Sequence, residues 1–320
     1  MTTLFTPRRE LGRTGFVATQ LGVGDLADRS LPIEQCVATL RRALDFGLNV
    51  VDTAPSYEAG YSEEIVGRAL TGRRQGLFVI DKIDHFDRPV QAQAAESLGR
   101  LQLDAVDAFV LHGLKEPEQW HELSKPGGCF AELERVAASG RARFKGISAH
   151  HPEVLRLAIE SGRCDLVLFP VGAFVDESYV TEILPLAKAR GVGSVCFKTF
   201  GAGKLLGDTA GYGQPLAARP RGKWSSGGRD VPGAASLPRL SVDDCVGYTL
   251  TCDPDVALVG MSFPNEQDAA LAAAQRFQPF SHEKLAQVRA AAALAIRGKG
   301  PCWWNSDPLA GTELNPTERA

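Results

Sequence analysis

The segment NVVDTAPSYEAGYSEEIVGRALTG, residues 49–72, runs from a short β-branched stretch (Asn49 to Ala54) through a polar turn into a segment of helical period. Ser62 is placed to cap that helix, and Glu63 and Glu64 lie where the helix dipole favours negative charge. The same strand-then-helix unit precedes it. Leu21 to Gly24 is a weaker apolar run, followed by Ile33, Val37, Leu40 and Leu44 at helical spacing, with Pro32 at the helix start and Gly47 as a stop.

Downstream the unit recurs. LFVIDKI (Leu77 to Ile83) precedes a helix carrying Val90, Ala94, Leu98 and Leu101, and DAFVLHG (Asp107 to Gly113) precedes FAELERVAASG. RARFKGIS, ending at Ser148, precedes PEVLRLAIESGR; DLVLFPV, beginning at Asp165, precedes a helix near Ile183 to Arg190 with Pro185 in its first turn. GSVCFKTF (Gly193 to Phe200) and VALVGM (Val256 to Met261), the latter followed by NEQDAALAAAQ, complete eight units.

Runs that are apolar on both faces and separated by helices indicate a parallel sheet covered by helices. Eight units in about 260 residues match a closed (β/α)8 TIM barrel, and no G-x-G-x-x-G follows the first run as an open dinucleotide-binding sheet would require. The expected fold is a single α/β domain over 1–297, ending in an extra helix at Glu283 to Ile296, with an irregular C-terminal tail over 298–320. Two loops exceed the repeat: a Gly, Pro, Ser and Arg-rich stretch from Leu206 to Leu240 after the seventh run, and one after His112 through Trp120 and Pro126.

Composition narrows the function. The 320 residues are 44% hydrophobic and 23% charged, with 35 Lys plus Arg against 38 Asp plus Glu, a net charge of -3. That suits a folded core and gives no basic excess for nucleic acid. No apolar run approaches a membrane span, and MTTLFTPRRELG has no apolar stretch after its arginines, so a soluble, unexported, cytoplasmic chain is expected. Seven scattered cysteines with no C-x-x-C pair read as reduced thiols. His85, His121, His150, His151 and His282 show no metal spacing, so no metal site is expected and these read as surface or turn residues.

In a barrel the chemistry sits at the C-terminal ends of the strands. The second run ends in Asp52 with Tyr57 behind it, the third carries Lys82, and the fourth ends in His112. An ammonium beside a phenol brings its pKa down toward the working range, and a lysine inside a barrel mouth needs a carboxylate such as Asp52. His112 can donate to a substrate oxygen. A proton donor and an oxyanion site without a nucleophile suit carbonyl reduction by an external hydride donor.

At these residues the chain resembles the aldo-keto reductase superfamily: VDTAPSYEAGYSEEIVGRAL (51–70) is similar to its D-T-A-x-x-Y signature and following helix, with Lys82 and Leu111-His112 in the family's order. The resemblance runs from LGRTG (Leu11 to Gly15) through GIS (Gly146 to Ser148) to the eighth run. It implies an NAD(P)H-dependent reductase or alcohol dehydrogenase with Tyr57 as general acid and base, Lys82 and Asp52 tuning it, and His112 positioning the carbonyl. CFKTFGAGKL (196–205) and LHGL (111–114) are closer to the branch related to ferredoxin-fused members, without that branch's iron–sulfur extension.

The resemblance also implies a cofactor site, with NADP expected and NAD possible. Gly24, Asp52, Ser148, Phe197, Lys198, Gly203, Lys204, Gly260, Ser262, Asn265 and Gln267 are its candidate residues, Phe197 as the ring that stacks on nicotinamide and Asn265 as a helix cap beside phosphate. Ser262 stands where the family has a base for the 2′-phosphate, and Ala149 and Leu168 where it has Asn and Gln. Arg219, Arg221, Lys223 and Arg229 in the long loop are a candidate pyrophosphate belt, with a solvated loop as the alternative. Asp25, Tyr57, His112, Trp120, Trp303 and Trp304 are the expected pocket residues. The implied partner is a small-molecule carbonyl substrate, with oligomeric state left open. A nicotinamide-sensing regulatory module with little turnover, and a redox-neutral epimerase or lyase, are the competing readings.

Overall fold

The computed structural model describes residues 5, 7–29, 31–206, 238–262, 264–297, 299 and 301–307. A short antiparallel hairpin, β1 (Arg8–Glu10) and β2 (Val17–Thr19), comes first. The barrel follows: β3 (Leu21–Val23), β4 (Val50–Asp52), β5 (Phe78–Ile83), β6 (Val106–Leu114), β7 (Ala142–Ala149), β8 (Leu166–Pro170), β9 (Gly193–Phe197) and β10 (Val256–Val259). Neighbours pair in parallel, and β10 closes the ring by pairing with both β9 and β3. All eight expected strands are present, in the expected order.

The helices that cover them are α1 (Ile33–Asp45), α2 (Tyr61–Leu70), α3 (Val90–Leu101), α4 (Pro117–Ser124), α5 (Cys129–Ala138), α6 (Pro152–Glu160), α7 (Leu184–Ala189), α8 (Val242–Thr251), α9 (Pro264–Gln275) and α10 (His282–Ile296). Two of these lay outside the sequence expectation. α4 sits in the loop after His112, where Pro117 occupies the first turn and Glu116 and Gln119 cap each other. α8 begins at Ser241, whose Oγ accepts the Asp244 N–H, with Asp243 and Asp244 against the helix dipole. At α2 the cap differs from expectation: Gly60, in the left-handed region, precedes the helix, and Ser62 lies inside it with Oγ accepting from the Thr53 hydroxyl.

Two apolar clusters follow from the strands' period of two. One lies between sheet and helices. The other fills the barrel with Val50, Phe78, Ile80, Ala108, Val110, Leu166, Leu168, Val195, Val256 and Leu258, and is closed from below by Leu11 and Phe16 of the hairpin segment. Stepping two residues along each inward row, Val50 leads to Asp52, Ile80 to Lys82, and Val110 to His112. The polar side chains are therefore the top layer of the packed interior. Outward-facing Asp81, between Ile80 and Lys82, accepts the Lys82 N–H and lies by Glu63, which takes the Arg100 guanidinium.

The Leu206 to Leu240 loop begins and ends at one place, where the Leu240 N–H donates to the Leu205 carbonyl at 2.7 Å. Residues 207–237, including Arg219, Arg221, Lys223 and Arg229, lie outside the described residues. In the tail, Cys302 and Trp304 are fully buried against the barrel.

Two glycines give opposite expectations. A Cβ on Gly146 would stand 1.8 Å from the Leu166 carbonyl oxygen of the adjacent strand, so Gly146→Ala must push β7 and β8 apart and should cost about 1–3 kcal/mol or more. Gly99, exposed within α3, has nothing near its missing Cβ, and Gly99→Ala should stabilise by about 0.5–1 kcal/mol. Denaturant titration of both variants reads the two signs.

Candidate active site

Asp52, Lys82, Tyr57 and His112 come together at the C-terminal end of the barrel. Lys82 Nζ donates to both carboxylate oxygens of Asp52 and to the Thr53 carbonyl, each at 2.7 Å. The pair is buried, with side-chain exposures of 2% and 4%. Burial pulls Lys82 toward the neutral amine, but the carboxylate and Tyr57 outweigh it and its pKa stands above the usual lysine range. Burial raises the Asp52 carboxyl as well; with both oxygens in contact with Nζ, the ionised pair is the form the geometry supports.

Tyr57 lies above this pair. Its ring centroid is 4.5 Å from Lys82 Nζ, its hydroxyl is hydrogen-bonded to Lys82, and its ring meets that of His112 edge-on at 5.7 Å. The expected lowering of the phenol is overturned here. Burial pushes Tyr57 up to about 12, and the negative charges of Asp52 and Asp84 act against the lowering by Lys82. Tyr57 therefore holds its proton at neutral pH, as a donor must. One further group, missed in the sequence, completes the set: Asp84, two residues beyond Lys82, is paired with His112 Nδ1 and accepts the Ser56 N–H at 2.7 Å.

Beside this cluster the ends of β9 and β10 form a second region. Phe197 is half-buried; Lys198, in the left-handed region at φ 75°, places Nζ 5.4 Å from its ring centroid and 4.1 Å from that of Trp303. A lysine in this backbone conformation is uncommon and marks a tight turn held by its surroundings. Burial alone lowers its ammonium to about 8. Ser262 and Thr199 are buried with hydroxyls that find no partner among the described residues. Ser148 is buried at the top of β7, Gly24 and Gly260 stand side by side at the ends of β3 and β10, and Gly203 takes φ 87° in the turn after β9. Asp25 accepts the Ala27 N–H in the turn beyond Gly24.

Several expected site residues are placed elsewhere. Trp120 is buried in α4 with its ring edge-on to Phe130 of α5, so it packs the helical layer and is no pocket wall. Trp304 is buried and donates Nε1–H to the Phe174 carbonyl, pinning the tail, while neighbouring Trp303 is 52% exposed beside Lys198. Lys204 is buried with Nζ donating to the Pro301 carbonyl, a strap for the tail. Gln267 is buried and bridges the Thr39 carbonyl and the Arg42 guanidinium. Asn265 is exposed in the first turn of α9, which starts at Pro264, so it is not the cap. His150, expected at the surface, is largely enclosed between Phe197 and Trp303, at 5.2 and 5.4 Å, and burial lowers it to about 3.

A family model described as the aldo/keto reductase family matches residues 19–238. The chain belongs to the aldo/keto reductase family. Among curated members, L-galactose dehydrogenase of Arabidopsis thaliana is 28% identical over 62% of this chain and 66% of its own length. NADH-specific methylglyoxal reductase of Escherichia coli is 24% identical over 67% and 71%. The matched stretches thus span about two thirds of these relatives. Two solved aldo-keto reductases share the fold: AKR11C1 of Bacillus halodurans in its holo form (TM-score 0.69, 21% identity, 89% of this chain and 96% of that one) and one from Klebsiella pneumoniae in complex with NADPH (TM-score 0.66, 20%, 89% and 94%). The four clustered residues of this chain are those that carried the family signature in its sequence.

Removing one member of the buried pair should cost more than removing both. Lys82→Met strands the Asp52 carboxylate and should destabilise by about 3–5 kcal/mol, whereas Lys82→Met with Asp52→Asn should recover much of that loss in urea titrations.

Proposed function

We propose that the chain is an NAD(P)H-dependent oxidoreductase that interconverts an aldehyde, ketone or sugar carbonyl with the alcohol. The observation that carries this is the buried Asp52–Lys82 pair lying directly under a protonated Tyr57, with His112 alongside. Tyr57 delivers its proton to the substrate oxygen; Lys82 stabilises the phenolate that forms, and Asp52 keeps Lys82 charged and in place. His112 orients the oxygen. The cluster contains no side chain set up as a nucleophile, which supports reduction over acyl or group transfer.

The residues present fit a nicotinamide dinucleotide. Phe197 offers a ring face, Lys198 a cation, Ser262 and Thr199 two buried hydroxyls in need of partners, and Ser262 precedes the N-terminus of α9, which favours an anion. When bound, the nicotinamide supplies or accepts the hydride. With Ser262 where the family carries a base, the grip on a 2′-phosphate is weak, so NADPH and NADH are both accommodated; the relatives' names point to both. Trp303 provides an aromatic wall beside the site. The likeness of CFKTFGAGKL and LHGL to the ferredoxin-related branch, and a reducing, cytoplasmic setting for seven free cysteines, belong to the same reading.

Tyr57→Phe should lower kcat by about 10²–10⁴-fold while leaving nicotinamide affinity within about twofold, read by a carbonyl panel and by fluorescence titration. Absence of any nicotinamide binding to the wild-type chain would overturn the reading. Lys198 adds a pH test. Because its ammonium titrates near 8 when no anion is bound, cofactor affinity should be full below that pH and decline above it, and Lys198→Met should remove the decline.

A further inference from the structure

Tyr57 is followed at once by backbone that residues with a Cβ rarely adopt. Glu58, Ala59 and Gly60 take φ of 52°, 53° and 86°, three consecutive residues in the left-handed region between Tyr57 and the first turn of α2. Glycine enters that region freely, whereas a Cβ there crowds the following carbonyl oxygen. Glu58 and Ala59 therefore make the turn unfavourable unless groups outside it hold it in place.

Arg29, in the loop between β3 and α1, is such a group. Its Nε donates to the Glu58 carbonyl at 2.9 Å, and its Nη2 donates to the same carbonyl and to that of Ala59, the latter at 3.3 Å. The guanidinium lies over the Tyr61 ring, 4.9 Å from the centroid, and the Tyr61 hydroxyl donates to the Leu31 carbonyl two residues beyond Arg29. The fork thus grips the turn by its edge and rests on the start of α2 by its face. The loop that carries it is itself fastened, with the Asp28 carbonyl accepting the Leu31 N–H and Asp25 accepting the Ala27 N–H.

Resting on the carbonyl oxidoreductase reading, we propose that Arg29 is a positioning residue for Tyr57: it holds the left-handed turn closed and so keeps the phenol over Lys82. On the other side of Tyr57, Asp84 accepts the Ser56 N–H, and beyond the turn the Thr53 hydroxyl donates to Ser62 Oγ. Arg29 adds the restraint on the residues directly after the proton donor. It acts through Tyr57, and no bond forms or breaks at the guanidinium. Arg29 is exposed, so its replacement opens no cavity in the core.

Arg29→Met should lower kcat and kcat/KM for carbonyl reduction together, by about 10- to 100-fold, the loss that follows displacement of a reacting group by about 1 Å. Nicotinamide affinity, by fluorescence titration, should stay within about twofold of wild type. Arg29→Lys, which keeps the charge without the fork, should fall between the two. Ala59→Gly separates positioning from a general loosening of the surface, because glycine removes the Cβ that disfavours φ 53°. It should restore about 3- to 10-fold of the kcat lost in Arg29→Met while changing wild-type kcat by less than about twofold. A further measurement needs no substrate. In the full chain, amide hydrogen exchange at Tyr61 and Ser62, whose N–H groups donate to the Glu58 and Tyr57 carbonyls, should quicken by about tenfold or more in Arg29→Met while β4 and β5 keep their protection. Wild-type kcat in Arg29→Met, a loss that Ala59→Gly leaves unrepaired, or unchanged exchange at Tyr61 and Ser62 each overturns the proposal. If the wild-type chain reduces no carbonyl on a broad panel, the functional reading fails by itself, and the exchange measurement still decides whether Arg29 holds the turn.

Discussion

An ammonium and a carboxylate, both stripped of water, hold the working end of this barrel together. Neither tolerates the interior alone, since an isolated buried charge costs several kcal/mol even after relaxation. Each is present because the other is 2.7 Å away with both oxygens engaged. That mutual dependence fixes the register of β4 against β5 at their C-terminal ends, where Asp52 pairs across to Ile80 and Lys82 stands one inward step further. The positions of Tyr57 and the Thr53 carbonyl follow from it.

The barrel supplies the distance scale. Inward side chains advance two residues at a time, so a strand that is apolar at its lower steps can end in a polar residue without exposing a polar group to the core. Val50 below Asp52, Ile80 below Lys82 and Val110 below His112 share this arrangement. The apolar layer beneath is plugged by Leu11 and Phe16, which keeps water from reaching the ion pair from below. Electrostatic strength at the top is thus a consequence of packing at the bottom.

Much of this was legible in the sequence, for definable reasons. The β-branched runs gave all eight strands because parallel strands are buried on both faces and admit few polar residues. Asp52, Lys82 and His112 were legible because they stand at or beside the ends of those runs, and Tyr57 because it follows one. α8 and α4 were passed over although Ser241 with Asp243 and Asp244, and Glu116-Pro117 with Gln119, carry ordinary helix-start chemistry; both sit in stretches otherwise dominated by loop composition. Trp120, Trp304, Lys204 and Gln267 engage protein partners that the sequence did not reveal, because aromatic, cationic and amide side chains near a barrel rim serve equally as struts and only contact partners distinguish the two uses. Asp84 was invisible for a different reason: nothing in K-I-D-H says that the aspartate reaches across to the end of the next strand. The direction of the Tyr57 shift was missed because the sequence names its neighbours without weighing Asp52 against Lys82 or either against burial.

The Leu205 to Leu240 closure gives the fold a modular joint. A segment that leaves and returns through one backbone hydrogen bond can be lengthened, shortened or exchanged while the strands on either side keep their pairing. The entropic cost of such changes grows slowly, at about 0.6 kcal/mol for each doubling of length. Asp52, Lys82 and His112 are bound to the barrel's register, whereas grafting at the Leu205 to Leu240 joint leaves that register untouched.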